Sequence, residues 1–104
     1  MEKSFIDIEL YDGSFHQFRS YHLQDYSRFI NVPGVAVLIK IDFYGTWNRI
    51  LKVEGESIGD ILFSDRVKKY VVDEFYATYH FAFFHIEERN ERQKLLDRIK
   101  APKL

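Results

Sequence analysis

The fold is decided by Val32–Glu54, which reads VPGVAVLIKIDFYGTWNRILKVE. Every second residue from Val35 to Phe43 is apolar, and the residues between them become polar only at Lys40 and Asp42. Because successive side chains of a strand point to opposite faces, this pattern predicts a strand buried on both faces for most of its length. Such a strand belongs in the middle of a sheet.

The second half of this stretch predicts a partner strand. Gly45 accepts a positive φ and therefore marks a tight turn after the first strand. Beyond the turn, Trp47, Leu51 and Val53 fall on one face of an extended chain. We therefore expect an antiparallel hairpin whose register is held by its buried face.

The composition indicates one globular domain. A chain of 104 residues buries roughly 60–70% of the surface that it exposes when unfolded, and this is enough for a single core. We expect residues 1–31 to form an N-terminal hairpin and a short helix, and residues 32–104 to form the main body of the domain. Aromatic residues reach 17% of the chain, and we expect them, Trp47 included, to fill the core.

Several classes of protein are disfavoured by composition. The chain has no Cys, which excludes a disulfide framework and a thiolate site. A net charge of −1 argues against nucleic-acid binding by bulk electrostatics, although it permits a local basic patch. The first residues do not resemble a secretion signal, and nowhere do enough apolar residues stand together to cross a membrane. We therefore expect a soluble cytoplasmic protein without membrane contact.

The region before the central hairpin predicts a further hairpin and a short helix. The alternation over Ile6–Leu10 and the apolar residues in Phe15–Phe18 flank Asp12-Gly13, a strong hairpin-turn signal. We place this hairpin at a sheet edge. Ser20–Ile30 has apolar residues three and four apart, which predicts a short helix with Ser20 as its cap.

The region after the central hairpin predicts helix, strand and helix. Ser57 begins a helical segment that should run to about Val72 with a bend near Phe63, because its two apolar clusters are out of phase. Phe75–Ile86 is apolar on both faces and predicts a central strand.

The last helix should begin near Glu88 or Asn90, with Asn90 and Gln93 as a capping pair. Its buried stripe comprises Leu95, Leu96 and Ile99. These elements together predict an α+β fold, in which a small mixed or antiparallel sheet is flanked by two to three helices.

From Pro33 to Leu104, this order of elements resembles the GIY-YIG nuclease domain. The resemblance rests on a strand-turn-strand unit from Gly34, a loop with Gly55, a helix, a strand, and a helix that carries a Leu-Leu pair. It implies a GIY-YIG-like scaffold to which the N-terminal hairpin is an addition.

The signature residues of that family are replaced here. In the family, Gly, an aliphatic residue and Tyr open the first strand, and Tyr, an aliphatic residue and Gly close the next. Here the two places read Gly34-Val35-Ala36 and Lys52-Val53-Glu54-Gly55, so both signature tyrosines are missing.

The two catalytic side chains that the resemblance implies are also displaced. It implies a phosphate-binding Arg about two helical turns past Gly55, but the nearest is Arg66, one turn too far along. It also implies a magnesium-binding Glu about one turn before the Leu-Leu pair, where Arg92 stands with Glu91 beside it. A guanidinium there would repel the metal ion that phosphodiester cleavage needs.

We therefore expect a non-catalytic interaction or accessory domain with no cofactor and no metal site. Its partner would be another protein or a second copy, with the open edge of the first hairpin as the binding surface. The alternative is a divergent magnesium-dependent phosphodiesterase or nucleic-acid-binding domain. Its candidate residues are Lys52, Glu56, Arg66, Glu91 and Arg92.

An ordinary surface role competes with each of these candidates. Glu88 and Arg92 have the spacing of a helix-surface ion pair, which is typical of a solvated charged helix. The Lys and Arg residues of the two later helices are balanced closely enough by acidic residues to favour a solvated face over a nucleic-acid footprint.

Overall fold

The computed structural model of the chain describes residues 5–72 and 77–104. Within these residues, five strands form one sheet with helices on both faces. The strands are β1 (Phe5–Glu9), β2 (Phe15–His22), β3 (Gly34–Ile41), β4 (Trp47–Gly55) and β5 (Thr78–His85). The helices are a 3-10 helix (Leu23–Phe29), α1 (Ile58–Leu62), α2 (Asp65–Lys68) and α3 (Arg89–Arg98). The predicted α+β fold is confirmed, and every strand pair is antiparallel.

The strand order is β1-β2-β5-β3-β4, so β5 and β3 are interior strands as predicted. Each side chain from Val35 to Ile39 is 1% exposed or less, because β3 is covered on both faces. Phe43, which was expected to extend this strand, lies instead in the turn and is 78% exposed. The strand ends before it because Asp42 Oδ1 accepts hydrogen bonds from the N–H groups of Tyr44 and Thr46, both at 2.9 Å. Gly45 has the positive φ expected of it, at 82°.

The two faces of the sheet carry separate cores. On one face α3 covers a cluster that includes Ile8, Phe18, Val37, Leu95 and Ile99. On the other face the 3-10 helix, α1 and α2 cover a cluster that includes Phe29, Leu38, Leu51, Ile58, Val67 and Phe81. The strands between the two clusters must be apolar on both sides, which explains the long apolar runs in the sequence.

The chain after α3 links the two edge strands of the curled sheet. Lys100 N–H donates to Glu9 O at 3.1 Å, at the end of β1. Farther along, Lys52 N–H donates to Pro102 O at 2.7 Å, and Leu104 N–H donates to Lys52 O at 3.2 Å. The segment therefore covers part of the β4 edge and the last residue of β1. The start of β1 remains an edge among the described residues, as predicted for the first hairpin.

The helix predicted from Ser20 begins later. Ser20 pairs with Ala82 in the sheet, so strand pairing continues to His22 and the helix spans Leu23–Phe29. It is a 3-10 helix without a side-chain cap, and Asn31 follows it with a φ of 62°. Pairing with an interior strand thus overrides the capping signal of the serine.

Two other helix predictions need correction. The bend near Phe63 is confirmed by the break between α1 and α2, but α2 ends at Lys68 rather than near Val72. Asn90 lies within α3, not at its cap, so the predicted capping pair with Gln93 is wrong.

The strand predicted from Phe75 begins at Thr78, and residues 75 and 76 lie outside the described part of the chain. No helix in the described residues is long and apolar enough to span a membrane.

Candidate functional site

Two buried cations lie where α3 packs against β4. Arg92 is 2% exposed and Lys52 is 6% exposed. They are the buried charged residues of the described chain, and both were candidate site residues. Lys and Arg are almost never fully buried unless their charge is paired or hydrogen-bonded, so the partners of each decide what it does.

Arg92 has three identified partners. Its Nε donates to Glu54 Oε1 at 2.9 Å, and its Nη1 donates to the carbonyl oxygens of Glu87 at 2.6 Å and Ile86 at 3.3 Å. These contacts join the start of α3 to the end of β4 and to the connection after β5. The predicted surface pair of Glu88 with Arg92 is therefore wrong, because Arg92 points into the protein toward β4.

Lys52 holds the other end of α3. Its Nζ donates to the carbonyl oxygens of Leu96 at 2.6 Å and Ile99 at 2.9 Å. The last carbonyls of a helix lack partners within the helix and carry partial negative charge. An ammonium there supplies a hydrogen-bond donor and compensates that charge. Burial lowers the pKa of the Lys52 ammonium, and repulsion from Lys103 adds to this effect while Asp97 opposes it.

Alternation along β4 explains why both contacts exist. Lys52 and Glu54 are two residues apart and therefore lie on the same face of the strand, the face that α3 covers. Leu51 and Val53 point to the other face and enter the second core. Lys52 and Glu54 thus make the polar contacts between β4 and α3.

The remaining candidate residues are exposed. Glu56 follows β4 in a loop, and Glu91 contacts Lys94 on the surface of α3, with 3.3 Å between Nζ and Oε1. Arg66 lies on α2 and borders a small cleft of about 180 Å³ that Lys52 and Glu54 also line. The structure therefore brings Lys52 and Arg66 to one cleft, with Arg92 bound to its wall through Glu54. Neither Glu56 nor Glu91 is among the described residues that line it.

The residues at this place do not fit a magnesium ion. Divalent magnesium needs oxygen ligands, and the position that the resemblance assigns to a carboxylate is held by the guanidinium of Arg92. The nearby carboxylate of Glu54 is already bonded to that guanidinium. Among the described residues, no three His, Asp or Glu side chains are grouped to hold a metal ion.

The chain matches no protein-family model, no curated protein and no solved structure. The site is therefore interpreted from its own geometry.

Sequence reasoning missed an exposed aromatic group at the turn between β3 and β4. Trp47 was expected in the core but is 50% exposed, and Phe43 and Tyr44 are more exposed still. These side chains lie at the turn between β3 and β4 and are largely exposed to solvent. The Phe-Tyr pair directly before Gly45 was the available signal, since a turn residue seldom reaches the core.

Proposed function

We propose that this chain is a non-catalytic interaction domain built on a degenerate GIY-YIG-like scaffold. The proposal rests on the burial of Arg92 and Lys52 and on the groups that they bind. Both cations are buried, and their identified donor atoms bind Glu54 and backbone carbonyls, even though Lys52 lines the small cleft beside Arg66. A catalytic constellation needs groups that are free to contact the reacting atoms, and these are not.

The order of elements supports the scaffold part of this proposal. The chain runs from the β3–β4 hairpin through α1 and α2 to β5 and then to α3, which carries Leu95 and Leu96. This is the order on which the resemblance rests. The chemistry of the family does not follow from the order alone, since unrelated functions share one fold.

The outer side of β1 is the proposed binding surface. Leu10 N–H donates to Ser14 O at 2.9 Å, so the backbone of Leu10 faces β2. Hydrogen bonding alternates along an antiparallel pair, and the backbone groups of Phe5, Asp7 and Glu9 therefore point away from β2. Glu9 O already accepts from Lys100 N–H, and within residues 5–72 and 77–104 no partner occupies the outward groups of Phe5 and Asp7, which an added strand could therefore use.

A second copy of this chain is the first partner to test. Antiparallel pairing of β1 with its own copy creates a two-fold axis, which is the symmetry of most homodimers. Exposed aromatic side chains at Phe5 and Phe15 lie next to this edge and would gain contact area from such pairing.

Asp7→Pro tests the edge directly. Proline removes the outward N–H of Asp7 and leaves the bonds between β1 and β2 in place, while Asp7→Ala removes only the carboxylate and is the matched control. Sedimentation velocity over a range of concentrations should show a dimer for the wild type and for Asp7→Ala, and a monomer for Asp7→Pro.

If the wild type is a monomer, the proposal is tested by looking for other proteins that bind the β1 edge. Chemical crosslinking in extracts is then compared between the three forms, followed by identification of the crosslinked chains. A partner that only Asp7→Pro loses supports the proposal. A monomer whose crosslinked partners are the same for all three forms contradicts it.

The cleft beside Lys52 favours one alternative function, the binding of nucleic acid or another phosphodiester. Arg66 and Lys103 are exposed there, and Lys52 lines the same cleft. If this alternative holds, a short DNA duplex should bind at low salt and weaken as salt rises. Arg66→Ala should reduce that affinity more than Lys69→Ala, since Lys69 lies next to the same helix but does not line the cleft.

A further inference from the structure

A cleft on the second face lies away from α3 and from the β1 edge. Its volume is about 610 Å³, which is within the range of about 300–1,000 Å³ usual for small-molecule sites. It opens between the 3-10 helix, the α1–α2 connection and the first residues of β5. The described lining residues that matter here are Tyr26, Phe63, Lys68 and Tyr79.

Tyr79 supplies the first indication of a ligand. Its side chain is 6% exposed, and its hydroxyl has no hydrogen-bond partner among the described residues. Buried tyrosine hydroxyls usually have a partner, and leaving one unpaired is unfavourable. A polar group that lines a cleft without a protein partner is available to a molecule bound in that cleft.

The outer wall of the cleft supplies a flat apolar surface and a cation. The rings of Tyr26 and Phe63 are stacked, with centroids 4.6 Å apart and an angle of 16° between their planes. Lys68 Nζ lies 3.6 Å from the centroid of the Phe63 ring. Among the described residues that line the cleft there is no carboxylate to neutralise this ammonium.

We infer that this cleft binds a small planar aromatic molecule that carries a carboxylate. The ligand ring lies in the cleft beside the stacked rings of Tyr26 and Phe63, its carboxylate accepts from Lys68 Nζ, and a polar atom of the ligand accepts from the Tyr79 hydroxyl. Neither α3 nor β1 takes part, so this site is independent of the proposed protein interaction.

Backbone amide NMR titration tests this inference with four defined probes. The first two are 2-naphthoate and 6-hydroxy-2-naphthoate, which are planar aromatic carboxylates. Cyclohexanecarboxylate keeps the charge without the flat ring, and benzylammonium keeps a ring with the opposite charge. We expect saturable shifts around Phe63, Lys68 and Tyr79 with the naphthoates and much weaker shifts with the two controls. Absence of saturable shifts with both naphthoates, or equal binding of benzylammonium, would overturn the inference.

Matched variants test the two polar contacts. Lys68→Ala should weaken naphthoate binding about tenfold, whereas Lys69→Ala, which changes a neighbouring exposed lysine, should leave it unchanged. Tyr79→Phe removes only a hydroxyl and should fold. It should weaken the binding of 6-hydroxy-2-naphthoate, whereas Tyr70→Phe, outside the cleft, should leave that affinity unchanged. Affinity that is the same in Lys68→Ala and Tyr79→Phe as in the wild type would show that binding occurs elsewhere and would refute the site.

Discussion

Arg92 ties three parts of the chain together at a single buried point. It bonds the Glu54 carboxylate and the carbonyl oxygens of Ile86 and Glu87. Removing one partner of a buried ion pair leaves the other charge uncompensated, which commonly costs about 3–5 kcal/mol. Because the Glu54 side chain is 19% exposed and water can partly solvate it, Arg92→Ala should lower the free energy of unfolding by about 3 kcal/mol, the lower end of that range, in urea denaturation.

Arg89→Ala is the control for this variant. Arg89 lies on the same helix but is exposed, so its loss should change the free energy of unfolding by no more than about 0.5 kcal/mol. If both variants proved equally stable, the guanidinium of Arg92 would be free in solution and available for other chemistry.

Lys52 gives stability a pH dependence of defined sign. Because burial lowers its pKa, the folded protein binds this proton less tightly than the unfolded chain, and unfolding takes up a proton between the lowered pKa and the ordinary value of 10.5. The stability contributed by this group must therefore rise with pH through that window, with a slope of at most about 1.4 kcal/mol per pH unit.

Lys52→Met isolates this effect. The variant keeps the aliphatic packing and loses the titrating group, so the difference in unfolding free energy between wild type and variant should increase as the pH rises from the lowered pKa toward 10.5. At neutral pH the variant should be less stable by about 1–3 kcal/mol, because the carbonyls of Leu96 and Ile99 lose their charged donor and keep only the backbone N–H groups of Ile99 and Ala101. A difference that stays constant over this pH range would contradict the lowered pKa.

Sequence reasoning selected Lys52 and Arg92 but assigned Arg92 the wrong partner. Spacing along a helix predicts a pair between Glu88 and Arg92, whereas the actual partner, Glu54, is 38 residues away. Only the docking of α3 on β4 determines that contact, and no local pattern records it. A Lys and a Glu two residues apart on one face of β4 were the available signal for these contacts with α3.

At the scale of elements, the packing of α1 on the 3-10 helix depends on Gly59. A Cβ atom there would lie 2.6 Å from Ile30 N and 2.7 Å from the carbonyl carbon of Phe29. Backbone cannot move aside as a side chain can, so Gly59→Ala should force the two helices apart. Overpacking of this kind costs about 1–3 kcal/mol.

Gly55→Ala is the matched control for the glycine variant. A Cβ at Gly55 would meet the end of the Ile61 side chain, 2.5 Å away, and that flexible methyl group can rotate. Thermal unfolding should therefore show a clearly larger fall in midpoint for Gly59→Ala than for Gly55→Ala. Equal midpoints would mean that the close approach at Gly59 does not limit the packing.

The elements that sequence reasoning placed best are those set by local rules. Both hairpins follow from alternation and from a turn glycine, Gly13 or Gly45, each with a positive φ. The helices were placed less well, because Ser20 pairs in the sheet and α2 stops at Lys68. Their limits depend on which strand or helix lies beside them, which is tertiary information.

At the scale of the whole molecule, the sheet order and the path of the last residues could not be read from the sequence. The chain after α3 joins Glu9 at one edge to Lys52 at the other, a pairing between segments that are far apart in the sequence. This closure fixes α3 over one face and places Arg92 and Lys52 inside. The same closure explains why these two cations bond to groups of the chain itself.

The central claim is that these cations stabilise the fold and do not bind a phosphodiester. A backbone amide NMR titration tests it most directly, with a short DNA duplex, a single strand and magnesium added in turn at low and then moderate salt. We expect no saturable shifts around Gly55, Arg66 and Arg92 with any of the three. Shifts clustered at those residues that weaken as salt rises would contradict it and would restore the nucleic-acid interpretation.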